Sequence, residues 1–273
     1  MPSSRRLERE AAKRRKHRRG QAIAALSSVV VLGGLAVLIL TSPGWPEVKE
    51  TFFDWEVFKD SFPDVLRAFW LDVKIFVIAE LAILVVGLVV AMVRIARSPA
   101  FFPLKLLAVV WVDLFRGIPT ILLIFLIGFG VPALRLDGVP SDPVVLGAIA
   151  LILSYSAYVA EVYRAGVNSV HRSQRDAALA VGLTETQAMR HVVLPQAVRR
   201  VAPPLLNDFV ALQKDVALIS ILGPLEAFRE AQIIESQLFN FTPLVAAALL
   251  YLAVTIPTAR IVDRMGGPEG AVR

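Results

Sequence analysis

Six mainly apolar stretches constrain the fold of this chain more than any other feature of its sequence. A membrane-spanning α-helix needs about 20 consecutive, predominantly apolar residues. The chain is 56% hydrophobic and 19% charged, whereas soluble domains average about 45–50% apolar and about 25% charged residues. We therefore predict an all-α membrane protein with six transmembrane helices, at 22–40, 70–93, 106–130, 143–163, 204–222 and 243–262.

Lysine and arginine residues are unevenly distributed around these stretches. If the N-terminus lies inside the cell, the inner side carries 21 of the 29 basic residues, nine of them among the first 20 residues, and the outer side carries five. Positive residues concentrate on the cytoplasmic side of membrane proteins with short loops. We therefore predict cytoplasmic N- and C-termini in a multi-pass protein of the cell membrane. Since topology accounts for the net charge of +6, nucleic-acid binding is not indicated.

The basic N-terminus followed by an apolar run has the order of a signal peptide. The apolar region of a signal peptide has about 7–15 residues, however, and the run at 22–40 is longer. We therefore predict a retained span, followed by aromatic residues that favour a short helix at the membrane surface. The predicted domains are a basic cytoplasmic tail at 1–21, an additional span with an outer interfacial segment at 22–62, a transmembrane domain at 63–264 and a cytoplasmic tail at 265–273.

Several kinds of chemical site are not expected. The chain has no cysteine, and its three histidines are scattered, so neither disulfides nor a metal site are indicated. No phosphate-binding motif of the form GxxxxGK[ST] occurs, and the chain is therefore not predicted to bind or hydrolyse ATP. We expect a chain that is not an enzyme and has no cofactor of its own.

The segment 163–203 is the long loop on the predicted cytoplasmic side, and its apolar residues lie at helical spacing. It predicts a short helix at 173–181 that is stopped by Gly182. A second helix is predicted at 185–193, with Thr184 as its N-cap. The loop therefore contains a helical hairpin with a tight turn.

Two interpretations of this hairpin remain open. The small residues Ala177 and Ala178 beside the turn would let another protein approach closely, which favours a docking surface. Alternatively, the hairpin packs on its own membrane domain. In either case Pro195 is expected to break the second helix near its end, because proline cannot donate a backbone hydrogen bond.

The loop sequence DAALAVGLTETQAMRHVVLP resembles the cytoplasmic signature of ABC import permeases. That signature begins with an acidic residue and two alanines, and Gly follows after three intervening residues. After nine further intervening residues come an aliphatic residue, any residue, Leu and Pro. Asp176 stands where Glu is usual, which keeps the charge. The residues that match are Asp176, Ala177, Ala178, Gly182, Val192, Leu194 and Pro195.

Flanking segments are similar to the polar amino-acid permease family within this superfamily. They are SAYVAEVYRAGVNSVHRSQRDAA, RGIP, LPQAVRR and NDFVALQKDVALIS. The resemblance implies a permease subunit of an ATP-driven importer for polar amino acids, with a five-span core to which the first span is an addition. It also implies a second, identical or homologous permease subunit, a cytoplasmic ATPase dimer that hydrolyses the ATP and contacts the signature residues, and an extracytoplasmic substrate-binding protein.

Charged residues within predicted spans are costly in a bilayer and call for a role. Asp72 and Lys74 are expected to anchor the second span at the membrane interface. Glu80 lies deeper and is expected to face either a channel or a partner helix. Glu161 and Arg164, at the cytoplasmic end of the fourth span, are expected to form an ion pair.

Two further polar positions, Arg116 and Asp215, are candidates for the substrate pathway. Asp113 and Arg116 share a helical face, and one expectation is that they form a structural salt bridge at the end of their span. The alternative is that this span is kinked at Pro119 and lines the route. Arg116 and Asp215 are predicted to complement the carboxylate and the ammonium of an amino acid, with Glu80 as a third pathway candidate. The family pattern Lys-Asp-Thr-Ser-Leu reads KDVAL here, with Val216 and Ala217 in place of the two hydroxyls, so substrate contacts at those two positions are not carried over.

Two other classes of protein are alternatives to the permease. An ion-coupled secondary transporter or channel could use Glu80 or Asp215 as its ion site, but it would leave the loop signature without a role. A membrane-anchored sensor or scaffold would need a signalling domain, for which the loops are too short.

Overall fold

The structure is a computed structural model that describes residues 4–96 and 98–265 of the 273-residue chain, with the side chains of 20–21, 23–96 and 98–262. Every regular element within these residues is helical. The chain divides into two compact units, Met1–Asp54 and Trp55–Arg273. Most side chains of the predicted basic tail, and all but the first residue of the predicted C-terminal tail, lie outside the described residues.

The first unit contains helices α1 (Ser4–Leu40) and α2 (Trp45–Phe52). Ile23–Leu40 is long and apolar enough to cross a membrane, with a mean hydropathy of 2.7, in agreement with the predicted span at 22–40. Helix α2 occupies the place of the predicted surface helix. A proline in its first turn suits a helix start, where a missing N–H costs no intrahelical hydrogen bond.

The second unit begins with α3 (Trp55–Ile95), a helix of 41 residues. It contains the predicted span at 70–93 but starts well before it, so the predicted domain boundary between 62 and 63 falls inside a helix. After α3 come α4 (Phe102–Gly117), α5 (Thr120–Gly128) and the short α6 (Gly130–Ala133). Instead of one kinked span at 106–130, the segments Pro99–Gly117 and Thr120–Ala133 meet at 103°.

The bend between α4 and α5 has a local cause. Ile118 is extended, with φ −96° and ψ 129°, as expected for a residue whose α conformation is disfavoured by the proline that follows. Pro119 in turn is the N-cap of α5. The proline therefore ends one helix and begins another, a larger effect than the predicted kink.

Helix α7 (Pro143–Asn168) is the centre of the second unit and agrees with the predicted span at 143–163. The absence of a side chain at Gly87 brings α3 close to it, because a Cβ at that position would lie 2.7 Å from Cγ1 of Val159. Gly147 of α7 allows a similar approach of Ile219. These contacts lie in a buried apolar core shared by α3, α5, α7 and the segment 205–222.

The remaining helices follow α7. They are α8 (Arg172–Ala180), α9 (Glu185–Ala188), α10 (Leu194–Asp215), α11 (Ala227–Leu238) and α12 (Thr242–Met265), with a π-helical turn at Met189–Val193 and a 3₁₀-helix at Val216–Leu222.

The prediction that Pro195 breaks the second helix is wrong, because the chain remains helical from Glu185 to Asp215. The wider π turn immediately before α10 accommodates the proline, whose ring would clash with a carbonyl in a regular α-helix. The predicted span at 204–222 is also not one regular helix, since α10 ends at Asp215 and a 3₁₀-helix completes it.

Four described helical segments are long and apolar enough to cross a membrane, and the bent α4–α5 pair would make a fifth. The chain is therefore an all-helical membrane protein with four to five candidate apolar spans. The count of six spans and the orientation of the termini remain predictions.

Candidate functional site

The elbow, defined as residues 172–195, connects α7 to α10. Its turn follows α8, where the N–H of Gly182 donates to the carbonyl of Leu179 at 3.0 Å and the N–H of Leu183 donates to that of Ala178 at 3.1 Å. This pattern is a Schellman motif, which requires a positive φ that glycine adopts without a Cβ penalty. The φ of Gly182 is 89°. The predicted stop at Gly182 is confirmed.

The second arm of the elbow begins with a capping box. Thr184 Oγ1 accepts from the N–H of Gln187 at 3.3 Å, and Gln187 Oε1 accepts from the N–H of Thr184 at 2.9 Å. This confirms Thr184 as the N-cap. Across the turn, the guanidinium of Arg175 donates two hydrogen bonds to the Glu185 carboxylate, and these bonds raise the pKa of Arg175. This ion pair therefore connects α8, the first arm, to α9 in the second arm.

The elbow turns most of its signature residues outward. Two of them are exceptions, because Ala178 is buried and packs against the chain itself, and Val192 is half-buried. Val181, beside the glycine turn, is 79% exposed, so the tip of the elbow presents apolar as well as small groups to its surroundings. The exposed signature residues are Asp176, Ala177, Gly182, Leu194 and Pro195.

An ion-pair network joins the ends of α3 and α7 that lie next to the elbow. Glu161 Oε2 accepts from Arg94 Nη1 at 2.6 Å, and the same carboxylate accepts two hydrogen bonds from Arg164. The predicted pair of Glu161 and Arg164 is confirmed. Sequence reasoning missed Arg94, since its partner is 67 residues away and no local spacing links them. On the other arm, Arg200 of α10 donates to the carbonyl of Ser169.

The second candidate region is a row of polar residues among α3, α7 and α10. Tyr155 of α7 donates its hydroxyl hydrogen to Asp215 Oδ2 at 2.7 Å. Asp208, about two turns earlier on α10, is close enough for its charge to act on both Tyr155 and Glu80. The structure therefore places the predicted pathway residues Glu80 and Asp215 in one region and adds Asp208 and Tyr155, which the sequence pattern did not single out.

Arg116 reaches the same side of α7 by a different contact. Its guanidinium carbon lies 5.3 Å from the ring centroid of Tyr158, within the range of a cation–π interaction. Tyr158 in turn lies beside Tyr155, with 6.4 Å between ring centroids. The expected Asp113–Arg116 ion pair is absent from the described part of the chain, because Arg116, in the last turn of α4, lies over the tyrosine ring instead.

Asp72 is not an interfacial anchor, and this expectation is wrong. The residue is 3% exposed, and its Oδ2 accepts from the N–H of Ala227 and from the hydroxyl of Tyr251, each at 3.1 Å. Tyr251 also contacts Glu226 Oε2 at 3.2 Å, and Glu226 caps α11. Asp72 is therefore a structural link between α3, α11 and α12. Lys74 is exposed, as expected for an anchor.

Known proteins resemble the chain over most of its length. The family model described as "binding-protein-dependent transport system inner membrane component" matches residues 83–266. The probable glutamine ABC transporter permease protein GlnM of Bacillus subtilis is 37% identical over 201 residues, covering 72% of this chain and 89% of that protein. The arginine transport system permease protein ArtQ of the same species is 30% identical over 195 residues, covering 71% and 87%.

A solved structure shares the fold. The crystal structure of an amino acid ABC transporter with histidines has a TM-score of 0.70 at 28% identity, and the match covers 77% of this chain and 95% of that one. Both the family model, which spans more than half of the chain, and the similarity to curated permeases lead to one assignment. The chain belongs to the family of binding-protein-dependent transport system inner membrane components.

Proposed function

We propose that this chain is the permease subunit of an ATP-driven importer of amino acids, and that it transmits ATPase movement through the elbow. The observation that carries the proposal is the elbow itself, a hairpin that is capped at its turn, bridged by one ion pair and placed with exposed signature residues at the junction of two membrane helices. The importer would contain a second permease subunit, identical or homologous, two cytoplasmic ATPase subunits that bind and hydrolyse the ATP, and an extracytoplasmic binding protein.

The geometry of the elbow suits a coupling surface. The Schellman turn and the Arg175–Glu185 pair hold its two arms together, so that a force on the tip is not lost in bending. Gly182 has nothing within 4 Å of the position that a Cβ would occupy, which leaves room for close approach by a partner. Closure of an ATPase pair would then move the elbow and switch the membrane helices between outward and inward openings.

The polar row supports an amino acid as substrate. Glu80, Asp208 and Asp215 make no ion pair within the described residues, so their carboxylates are available to a cationic group. Arg116 offers a planar guanidinium that suits a carboxylate. An amino acid carries an ammonium and a carboxylate, and both need complementary partners when they lose water. Relatives whose names specify glutamine and arginine transport fit the same class.

Reconstitution would test this proposal. The chain would be assembled with its ATPase and binding protein in proteoliposomes, and the uptake of labelled amino acids would be measured with ATP, without ATP, and with ionophores that abolish ion gradients. We expect uptake that depends on ATP and the binding protein and persists with ionophores. Uptake that needs an ion gradient and proceeds without ATP would instead identify an ion-coupled transporter.

A further inference from the structure

Two clefts adjoin each other beside the elbow. The first has a volume of about 680 Å³ and lies between the end of α3, the end of α7 and the first half of α10. The second has a volume of about 760 Å³ and lies between the same ends of α3 and α7, the π turn and α8. Ile95, Val167 and Met189 line both. The two clefts are therefore neighbouring parts of one depression.

The first cleft, here called the apolar cleft, is lined by aliphatic side chains, two methionines and Tyr163, and by no charged residue of the described part of the chain. Several of these side chains are well exposed, including Met92 at 62% and Val198 at 63%. A contiguous exposed apolar surface in a membrane protein needs an apolar neighbour. Hydrocarbon chains of the bilayer have that chemistry.

The second cleft, here called the arginine cleft, is lined by Arg94, Arg164, Arg172 and Arg175, together with Asp176. Three of these arginines are held by carboxylates, since Arg94 and Arg164 share Glu161 and Arg175 pairs with Glu185. Arg172 has no ion pair within the described residues.

The paired arginines keep hydrogen-bonding capacity of their own. A guanidinium has five N–H donors, whereas the carboxylates engage one donor of Arg94 and two each of Arg164 and Arg175. The arginine cleft has four guanidinium groups but only three nearby carboxylates among the described residues, those of Glu161, Asp176 and Glu185, so it carries an excess of positive charge. Free donors and a positive excess favour an anion with several acceptor oxygens, such as a phosphate.

We propose that the depression binds an anionic glycerophospholipid of the surrounding bilayer, with its acyl chains in the apolar cleft and its phosphate against the arginines. The argument is the adjacency of the two clefts, because one molecule must be apolar at one end and anionic at the other to fill both. Basic pockets at the membrane surface between transmembrane helices are suited to such headgroups. The lipid would contact both α8 of the elbow and α10.

The test measures lipid binding to the purified full-length chain by native mass spectrometry, using phosphatidylglycerol and phosphatidylcholine with identical acyl chains. We expect phosphatidylglycerol to bind about tenfold more tightly, because both lipids carry the phosphate but the quaternary ammonium of phosphatidylcholine cancels its charge and is disfavoured by the positive excess of the arginines. Arg172→Gln should remove most of this preference, whereas Arg190→Gln, an exposed arginine of the elbow outside both clefts, should keep it. Ala202→Phe, which fills the apolar cleft, should weaken both lipids, whereas Ala253→Phe on α12 should not.

Three results would overturn the proposal. If the wild-type chain binds the two lipids equally, and Arg172→Gln binds them with the same affinities as the wild type, the arginines do not select a headgroup. Complete displacement of phosphatidylglycerol by millimolar inorganic phosphate would identify a site for a free anion. A lipid-free dimer, detected as a doubled mass, that Ala202→Phe dissociates and Ala253→Phe leaves intact would assign the apolar cleft to a second copy of the chain.

Discussion

Replacement of Gly182 should separate the internal stability of the elbow from its contact with a partner. The φ of 89° puts this residue in the left-handed region, where a side chain costs roughly 1–2 kcal/mol. A Cβ would meet no heavy atom within 4 Å, so steric overlap adds nothing in the free chain. Gly182→Asp should therefore lower the free energy of unfolding by about 1 kcal/mol, because Asp tolerates this conformation better than most residues.

The chain offers a matched control in Gly138, between α6 and α7. Its φ is 79°, and a Cβ there would also meet nothing within 4 Å. Gly138→Asp should have a similar effect on stability, but it lies far along the chain from the elbow. Only Gly182→Asp should weaken association with the ATPase, by roughly 30-fold or more, since an unpaired carboxylate in an interface costs about 2 kcal/mol.

The assay combines thermal unfolding of the purified permease with ATPase binding and ATP-driven uptake. Both glycine variants are expected to insert into membranes and to unfold alike, while Gly182→Asp alone loses binding and uptake. If Gly182→Asp binds the ATPase and transports at the wild-type rate, the elbow is not the coupling surface. If both variants lose uptake equally, the effect comes from stability.

Three further predictions follow from the topology, the polar row and the helix packing. A cysteine introduced at Ser4, in a chain without other cysteines, should resist an impermeant thiol reagent in intact cells and react after permeabilisation; rapid labelling of intact cells would reverse the topology. Arg116→Lys and Asp215→Asn should each reduce uptake without lowering the amount of folded protein. If uptake and the amount of folded protein fall in proportion, these residues have a structural role. Gly87→Ala should destabilise the chain by about 1–3 kcal/mol, seen as a lower melting temperature, because its Cβ would lie 2.7 Å from Val159 Cγ1; an unchanged melting temperature would argue against this helix contact.

The turn of the elbow could be predicted because its signals are local, although the expected break at Pro195 was wrong. A glycine with positive φ and a Thr N-cap three residues before Gln act within one turn of chain, and the structure ends α8 and starts α9 at those positions. The Glu161–Arg164 pair is similarly local. Each of these features depends on residues no more than a few positions apart.

The features that the sequence did not predict depend on distant partners. Asp72 looked like an interfacial residue because its position near the end of a span suits that role. Its partners Ala227 and Tyr251 are 155 and 179 residues away, and only the folded packing of α3, α11 and α12 brings them together. The expected Asp113–Arg116 pair failed for the same reason, since Arg116 finds Tyr158, 42 residues along the chain, instead.

Apolar composition also did not predict how a span is divided. The stretches at 106–130 and 204–222 read as single spans by hydropathy, which averages over residues and is insensitive to backbone geometry. Pro119 divides the first, and the change from α-helix to 3₁₀-helix after Asp215 divides the second. Both divisions lie beside the polar residues Arg116 and Asp215.

The π turn gives the elbow a mechanical consequence. Since the chain stays helical from Glu185 through Met189–Val193 to Asp215, the elbow is the short end of a lever whose long arm is α10. With 22 residues at about 1.5 Å each, that arm is about 33 Å long. A tilt of a few degrees about the π turn would displace its far end, which carries Asp215, by an ångström or more, comparable to the tolerance of a hydrogen bond.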